Sequence, residues 1–243
     1  MYLAEQGYAG QEYAAGHSNN DYNVKPWHLP EETHPTNWAT REMCKAIKRR
    51  DPLKPSFWYL SYVDPHPPMW PLQSYLDLYR DVDIEPPVMG EWTKDPQTMP
   101  WMIRASTDAG QGIVGGPAHE IEIARKAFYA LITHIDHQIR VVLGTLREEG
   151  LLDNTIIALT SDHGDMLGDH GRWGKSVMFE MATRVPLVIV PTPDDDRLVP
   201  GKTDDRLVQT MDIMPTILDL ADVPIPGTVE GTCLLYTSAA ADE

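Results

Sequence analysis

The chain has 243 residues, of which 42% are hydrophobic and 23% charged, as is usual for globular proteins. No apolar run approaches the roughly 18 residues of a membrane-spanning helix, so we expect no membrane span. With 36 acidic and 20 basic residues, the formal net charge of -16 would repel a polyphosphate backbone, which argues against nucleic-acid binding. The two cysteines, Cys44 and Cys233, are too few for a disulfide framework and lie in no zinc-binding spacing.

The first third of the chain predicts loop, helix and strand in that order. Residues 1–35 are rich in Gly, Asn, Tyr and Pro without a sustained apolar period, and predict irregular structure. A polar cap at Thr36 or Asn37 then precedes apolar residues at helical spacing, which predicts a short amphipathic helix with a basic last turn. The apolar run SFWYLSYV, residues 56–63, predicts a buried strand that delivers the Pro-rich loop 64–68.

Residues 67–117 hold many prolines and several tryptophans, and predict a long ordered excursion rather than a core element. Segments of this kind often face the substrate. Its tryptophans Trp70, Trp92 and Trp101 either stack on a sugar ring or anchor the excursion to the core, and we favour anchoring.

The second half alternates helices with buried strands. Apolar residues at three- and four-residue steps predict a long helix from about Pro117 to Glu149, with Gly150 as its C′ residue. Strands are predicted at 155–160 (TIIALT) and 185–190 (VPLVIV), and a further helix from Asp212 through Leu220. The alternation predicts an α/β fold in which helices cover a mixed sheet on both faces.

A metal site is predicted directly after the strand TIIALT. The adjacent Asp162 and His163 can offer a carboxylate oxygen and an imidazole nitrogen to one divalent ion, and Gly164 permits the backbone to turn away. For an isolated SDHG motif, a capping role for Asp162 and local packing of His163 is an equally good interpretation.

An anion site is predicted by two further elements. The Gly-rich stretch GDHGRWGK ends in Lys175, whose ammonium group can neutralise an anion, although a lone lysine is more often a surface residue. His66 lies between prolines, and its restrained backbone suits a hydrogen-bond donor to an oxyanion. His170 lies within the Gly-rich stretch and is a third candidate.

Together these motifs resemble a known family. The segments DPHPP, YALITHIDHQIRVVLGTLREEGLLDNT, ALTSDHGDMLGDHGRWGK, MFEMATRVPLVIV and VQTMDIMPTILDLADV match, in order and spacing, the second half of a type I (arylsulfatase-like) sulfatase of the alkaline-phosphatase superfamily. The resemblance covers most of residues 36–232. It implies that residues 1–232 are part of a sulfatase catalytic domain with the α/β core of that superfamily.

The resemblance also implies a chemistry. Asp162 and His163 would bind a divalent metal, calcium first, with magnesium or manganese as alternatives. His66 and Lys175 would contact the sulfate oxygens, and His170 is our candidate acid for the leaving alcohol. A hydrated formylglycine, made from Cys or Ser, would attack the sulfur of a sulfate monoester. We expect a sulfated small molecule or carbohydrate as substrate and, by family analogy, a periplasmic or secreted protein.

The sequence departs from the family at both ends. The nucleophile motif C/S-x-P-x-R and the acidic pair that completes the metal site are not present, because Cys44 precedes KAIK and Cys233 precedes LLYT. We therefore interpret the chain as a C-terminal part whose N-terminal part is missing. The tail 233–243, CLLYTSAAADE, is interpreted as a non-native read-through and is excluded from the fold prediction.

Two other functions remain open at this point. A phosphodiesterase or phosphonate monoester hydrolase of the same superfamily is a close alternative, because sulfate and phosphate esters share shape and electrostatic needs. A non-catalytic domain that binds an anion or a glycan is the alternative from another class.

The departures from the family generate the first prediction. We expect the purified 243-residue chain to show no metal-dependent hydrolysis of p-nitrophenyl sulfate, because neither cysteine lies in the nucleophile motif. Release of p-nitrophenol above the uncatalysed rate, abolished by a chelator, would contradict this expectation.

Overall fold

The computed structural model describes residues 2–95, 97–108 and 117–235. Within these residues the chain forms seven α-helices, two β-strands and several short 3₁₀ turns. The helices are α1 (Tyr2–Glu5), α2 (Pro35–Lys48), α3 (Gln73–Leu78), α4 (Trp101–Asp108), α5 (Ala118–Glu148), α6 (Glu180–Thr183) and α7 (Ile213–Leu220). The strands are β1 (Ile157–Thr160) and β2 (Leu187–Val190). No helix in these ranges is both long and apolar enough to cross a membrane.

The long helix α5 confirms the prediction at both ends. It ends at a glycine with φ of 67°, a left-handed conformation that Gly150 adopts without steric cost. The Gly150 N–H donates to the Arg147 carbonyl (3.0 Å) and the Leu151 N–H to the Leu146 carbonyl (2.8 Å). This paired pattern satisfies two of the carbonyls that a helix end leaves free.

Helix α2 is confirmed, but the predicted cap at Thr36 or Asn37 is wrong. The cap is His34, whose Nδ1 accepts the Thr36 N–H at 3.3 Å. Pro35 follows as the first helical residue, where its missing N–H costs nothing. The helix therefore begins two to three residues earlier than a search for a Ser, Thr, Asp or Asn cap suggests.

The buried strand predicted for residues 56–63 is wrong. This segment forms no strand, and the side chains of Phe57 and Tyr59 are 79% and 80% exposed. A strand needs a neighbour to pair its backbone groups, and the described part of the chain pairs only β1 with β2. The aromatic run thus reaches the Pro-rich loop as an exposed segment without ladder hydrogen bonds.

The α/β class is confirmed, although the described part of the sheet is small. The strands predicted at 155–160 and 185–190 form over their last four residues, and they pair antiparallel with Thr160 opposite Leu187. Their expected full burial is wrong, since Val188 is 49% exposed. Two strands alone cannot enclose a core on both faces.

The excursion at 67–117 holds α3 and α4, while residues 96 and 109–116 of it lie outside the described ranges. The predicted anchoring is confirmed for two tryptophans. Trp70 is buried, and Trp92 stacks on Phe179 at 6.0 Å between ring centroids. Trp101 is 70% exposed, so the predicted anchoring is wrong for this tryptophan.

A buried polar cluster joins α2, α5 and the Pro-rich loop. The carboxylate of Asp64 accepts the Thr36 hydroxyl and, at 3.0 Å, the Trp70 indole N–H. Its Oδ2 lies 3.9 Å from His34 Nδ1, and the His34 ring packs edge-on against His134 at 4.9 Å. Burial lowers the pKa of each histidine to about 4 and raises the pKa of Asp64.

The lowered pKa values predict acid sensitivity. Below the ordinary histidine pKa of 6.5 the unfolded chain binds protons before the folded chain does. The free energy of unfolding should therefore fall between about pH 6.5 and pH 4, by up to about 1.4 kcal/mol per pH unit for each histidine. The raised pKa of Asp64 acts in the opposite sense, because its folded carboxyl takes up a proton first as the pH falls.

Urea unfolding at several pH values measures this slope. We expect His134→Gln to reduce the slope by about a third to a half, because one of three buried imidazoles with a lowered pKa no longer titrates. The exposed His119 provides the matched control, and His119→Gln should leave the slope unchanged. Equal slopes in all three chains would show that the buried cluster does not control acid stability.

Candidate anion and metal site

The structure brings the two predicted loops together. The Lys175 Nζ lies 3.0 Å from the His66 Nε2, although 109 residues separate them in the chain. The His66 ring packs edge-on against the His163 ring, with 6.1 Å between centroids. Asp162 lies next to His163, so four of the five predicted site residues form one cluster at the surface.

The hydrogen bonds of His66 fix its protonation pattern. Its Nδ1 lies 2.7 Å from the Pro67 carbonyl oxygen, which only accepts, so Nδ1 carries a hydrogen. In the neutral ring Nε2 then holds a lone pair and accepts from the Lys175 ammonium group. The donation from His66 to an anion that the sequence predicted would therefore require a proton on Nε2.

Asp162 and His163 place two potential metal-ligand atoms close together. The His163 Nδ1 donates to the Gly164 carbonyl at 2.8 Å, which leaves a lone pair on Nε2. That Nε2 lies 3.6 Å from Asp162 Oδ2, and the Asp162 side chain is 86% exposed. A backbone carbonyl that orients the ring in this way is typical of metal-binding histidines.

These two residues fit a divalent ion as part of a ligand set. Calcium takes six to eight ligands and a tetrahedral ion takes four, so two donors complete neither set. Across residues 2–95, 97–108 and 117–235 no group of three or more His, Cys, Asp or Glu side chains is arranged to hold a metal. Asp162 and His163 therefore supply two ligand atoms of an incomplete ligand set.

The sequence predicts that Gly164 permits the backbone to turn away, whereas the structure requires glycine there because another backbone lies very close. A Cβ at this position would collide with the carbonyl oxygen of Met181 in α6. The Gly164 N–H also donates to the Ala182 carbonyl at 2.8 Å. The glycine therefore lets the loop that follows β1 lie directly against α6.

The Gly-rich loop is held by buried charges that the sequence did not reveal. The Asp169 carboxylate accepts the Val88 N–H at 3.0 Å and lies 3.3 Å from the Arg125 guanidinium. Arg125 comes from α5 and also donates to the Leu167 carbonyl at 2.8 Å. The sequence pattern of α5 does not indicate the role of Arg125, because its partners Leu167 and Asp169 lie more than 40 residues away.

His170 lies in a different environment from the other four residues. Its Nδ1 accepts the Gly90 N–H at 3.1 Å, and its ring packs against Phe179 (4.6 Å) and Trp92 (5.3 Å). Its backbone adopts a left-handed φ of 55°. These contacts support a role in fixing the Gly-rich loop to the excursion.

Family comparison decides the classification. Residues 5–223 match the Sulfatase family. The chain belongs to the sulfatase family. The resemblance read from the motifs and the α/β class is therefore confirmed. Sulfatases generally use a divalent metal and a formylglycine.

Individual relatives agree with this family. The sulfatase chain is 41% identical to an arylsulfatase of Clostridium perfringens over 217 residues, which are 88% of this chain and 44% of the relative. It is 31% identical to the iduronate 2-sulfatase of Mus musculus over 229 residues, covering 82% of this chain and 42% of the relative. Among solved structures, the phosphonate monoester hydrolase SpPMH of Silicibacter pomeroyi superposes with a TM-score of 0.77 at 26% identity, covering 96% of this chain and 48% of that one. The chain thus spans less than half the length of the curated relatives it matches.

The carbonyl contacts predict the histidine tautomers of this sulfatase chain. In their neutral forms we expect His66 and His163 to carry hydrogen on Nδ1. The control is His28, whose Nε2 lies 2.9 Å from the Gln11 carbonyl and must therefore be the protonated nitrogen. Long-range ¹H–¹⁵N NMR spectra distinguish the two tautomers. An Nε2–H tautomer at His163 would remove the argument for metal binding there.

Proposed function

We propose that this chain forms the sulfate-binding side of the active site in a metal-dependent sulfatase that hydrolyses a sulfate monoester. The observation that carries the proposal is the convergence of Lys175 with His66 and His163. Cationic and metal-binding groups from two distant loops meet at one point of the surface. Sulfate monoester hydrolysis requires such a cluster, because negative charge on the transferring group must be neutralised in the transition state.

In this proposal Lys175 is the main contact to the sulfate oxygens. An ammonium group has three N–H donors, so Lys175 can keep its bond to His66 and still offer two donors to the anion. His66 then orients the ammonium group, and it contacts an oxygen itself only when Nε2 gains a proton. The Pro67 carbonyl keeps the ring in place in either state.

Asp162 and His163 would hold the divalent metal together with donors from elsewhere. The metal would supply Lewis acidity toward a sulfate oxygen. By family analogy we propose calcium, with magnesium and manganese as alternatives. A formylglycine nucleophile belongs to the same proposal.

The substrate class and the compartment are extensions by analogy. The relatives include an arylsulfatase and an iduronate 2-sulfatase, so we propose a sulfated small molecule or carbohydrate as substrate. A periplasmic or secreted location is proposed on the same basis. His170 is assigned to loop support rather than to the leaving-group proton, because of its contacts with Gly90 and Phe179.

A second activity in the same superfamily has a specific observation in its favour. The phosphonate monoester hydrolase SpPMH superposes on 96% of this chain. We therefore propose phosphodiester or phosphonate monoester hydrolysis as the alternative activity. A non-catalytic domain that binds an anion or a glycan is a further possible outcome of the test.

The test uses the protein encoded by the complete reading frame that contains this chain. We expect p-nitrophenyl sulfate to be hydrolysed faster than bis-p-nitrophenyl phosphate and p-nitrophenyl phenylphosphonate. Lys175→Ala should lower kcat by about 10²–10³-fold, which is typical for the loss of one oxyanion contact. The exposed Lys202 is the matched control, and Lys202→Ala should retain full activity.

Other outcomes separate the remaining functions. A preference for the phosphorus esters, with the same loss in Lys175→Ala, would support the alternative activity. If no ester is hydrolysed while sulfate binds to the protein and not to Lys175→Ala, the non-catalytic function is supported.

A further inference from the structure

Residues 165–174 form a loop directly before Lys175. One carboxylate, that of Asp165, closes this loop where its two ends meet, a position called the neck below. Asp165 follows the metal-binding pair by two residues and is only 8% exposed. Its Oδ1 accepts two backbone hydrogens, from Leu167 at 2.9 Å and from Gly174 at 3.2 Å. The carboxylate therefore joins the beginning of the loop to its end, nine residues later.

A backbone hydrogen bond strengthens the same neck. The Met166 N–H donates to the Gly174 carbonyl at 2.8 Å. Gly174 is consequently held through both its N–H and its carbonyl, and its φ of 74° is a conformation that favours glycine. Because Gly174 is bonded directly to Lys175, the position and direction of the Lys175 backbone follow from this neck.

The second oxygen of Asp165 is held by the N-terminal segment. The Tyr22 hydroxyl donates to Asp165 Oδ2 at 2.6 Å, across 143 residues of sequence. The Tyr22 ring stacks on Trp173 with 4.4 Å between centroids and 14° between planes. Burial, and secondly the Asp165 charge, raise the pKa of Tyr22, so its hydroxyl stays a donor across the physiological range.

We propose that Asp165 is a positioning residue for Lys175, and that Tyr22 holds Asp165 in the required orientation. The proposal rests on the proposed role of Lys175 as an anion contact. Lysine has a flexible four-carbon stem, so its ammonium group is precise only when its Cα is fixed and its tip has a partner. Asp165 provides the first condition through Gly174, and His66 provides the second.

The experiment measures the Lys175–His66 contact in the 243-residue chain itself. The readout is the ¹⁵N chemical shift of His66 Nε2, which differs between a nitrogen that accepts a hydrogen bond and one that does not. Lys175→Met defines the shift without the contact. Amide hydrogen exchange at Gly174 reports the neck separately.

The variants test the carboxylate and its partner in turn. Asp165→Ala removes both acceptors, so we expect the His66 signal to move at least halfway to that of Lys175→Met and the Gly174 amide to exchange about tenfold faster. Asp165→Asn keeps an acceptor for the two N–H groups and should restore most of the original signal. Tyr22→Phe leaves the ring in place but removes its hydroxyl, and should give an intermediate shift.

The matched control removes a similar hydroxyl elsewhere. The Tyr79 hydroxyl lies 2.7 Å from the Thr133 hydroxyl in the contact between the α3 region and α5, so Tyr79→Phe should leave the His66 signal unchanged. If Asp165→Ala does not fold, Tyr22→Phe decides, since it retains the carboxylate. Faster exchange at Gly174 together with an unaltered His66 signal would overturn the proposal and leave Asp165 a loop-closing role only. No substrate is used, so the result does not depend on whether the protein hydrolyses sulfate esters.

Discussion

The buried carboxylate of Asp64 connects the elements that carry the site. It accepts hydrogens from Thr36 at the start of α2 and from Trp70 in the excursion. The His34 ring beside it packs against His134 on α5. A buried carboxylate is costly unless several donors surround it, so these elements are stable only in this mutual arrangement. His66 lies two residues further along the same loop. The geometry of the candidate anion site therefore depends on a polar group inside the core.

Because the chain is acidic overall, binding of an anion would depend on the charges nearest to it. A net charge of -16 repels an anionic substrate at long range, but this repulsion is screened beyond about 8 Å at physiological ionic strength. Close to the surface the nearest charges decide. Lys175 supplies the positive charge, and Asp162 becomes favourable to an anion only when a cation neutralises it. In the proposed function, the candidate metal ligands and the candidate anion contact thus depend on each other electrostatically.

The sequence predicted features that depend on local patterns and failed where distant partners decide. Helix α5 and its end at Gly150 follow from a 3.6-residue period and a left-handed glycine, both of which are local properties. The aromatic run at 56–63 has the composition of a buried strand, yet burial and pairing depend on neighbours that composition does not encode. The role of Asp165 is not predictable from sequence for the same reason, because its partner Tyr22 lies 143 residues away.

In the candidate site too, local patterns predict the residue types, while contacts with other parts of the chain determine the hydrogen bonds. Motifs and family resemblance predict Asp162, His163 and Lys175 as site residues, and these residues lie near His66 in the structure. The direction of each hydrogen bond could not be predicted, because it depends on which backbone carbonyl faces which ring nitrogen. Pro67 and Gly164 both orient a ring through Nδ1, one ring toward Lys175 and the other toward Asp162. Two histidines with the same tautomer can therefore serve different partners: His66 accepts from Lys175, and His163 is the proposed ligand of a divalent metal.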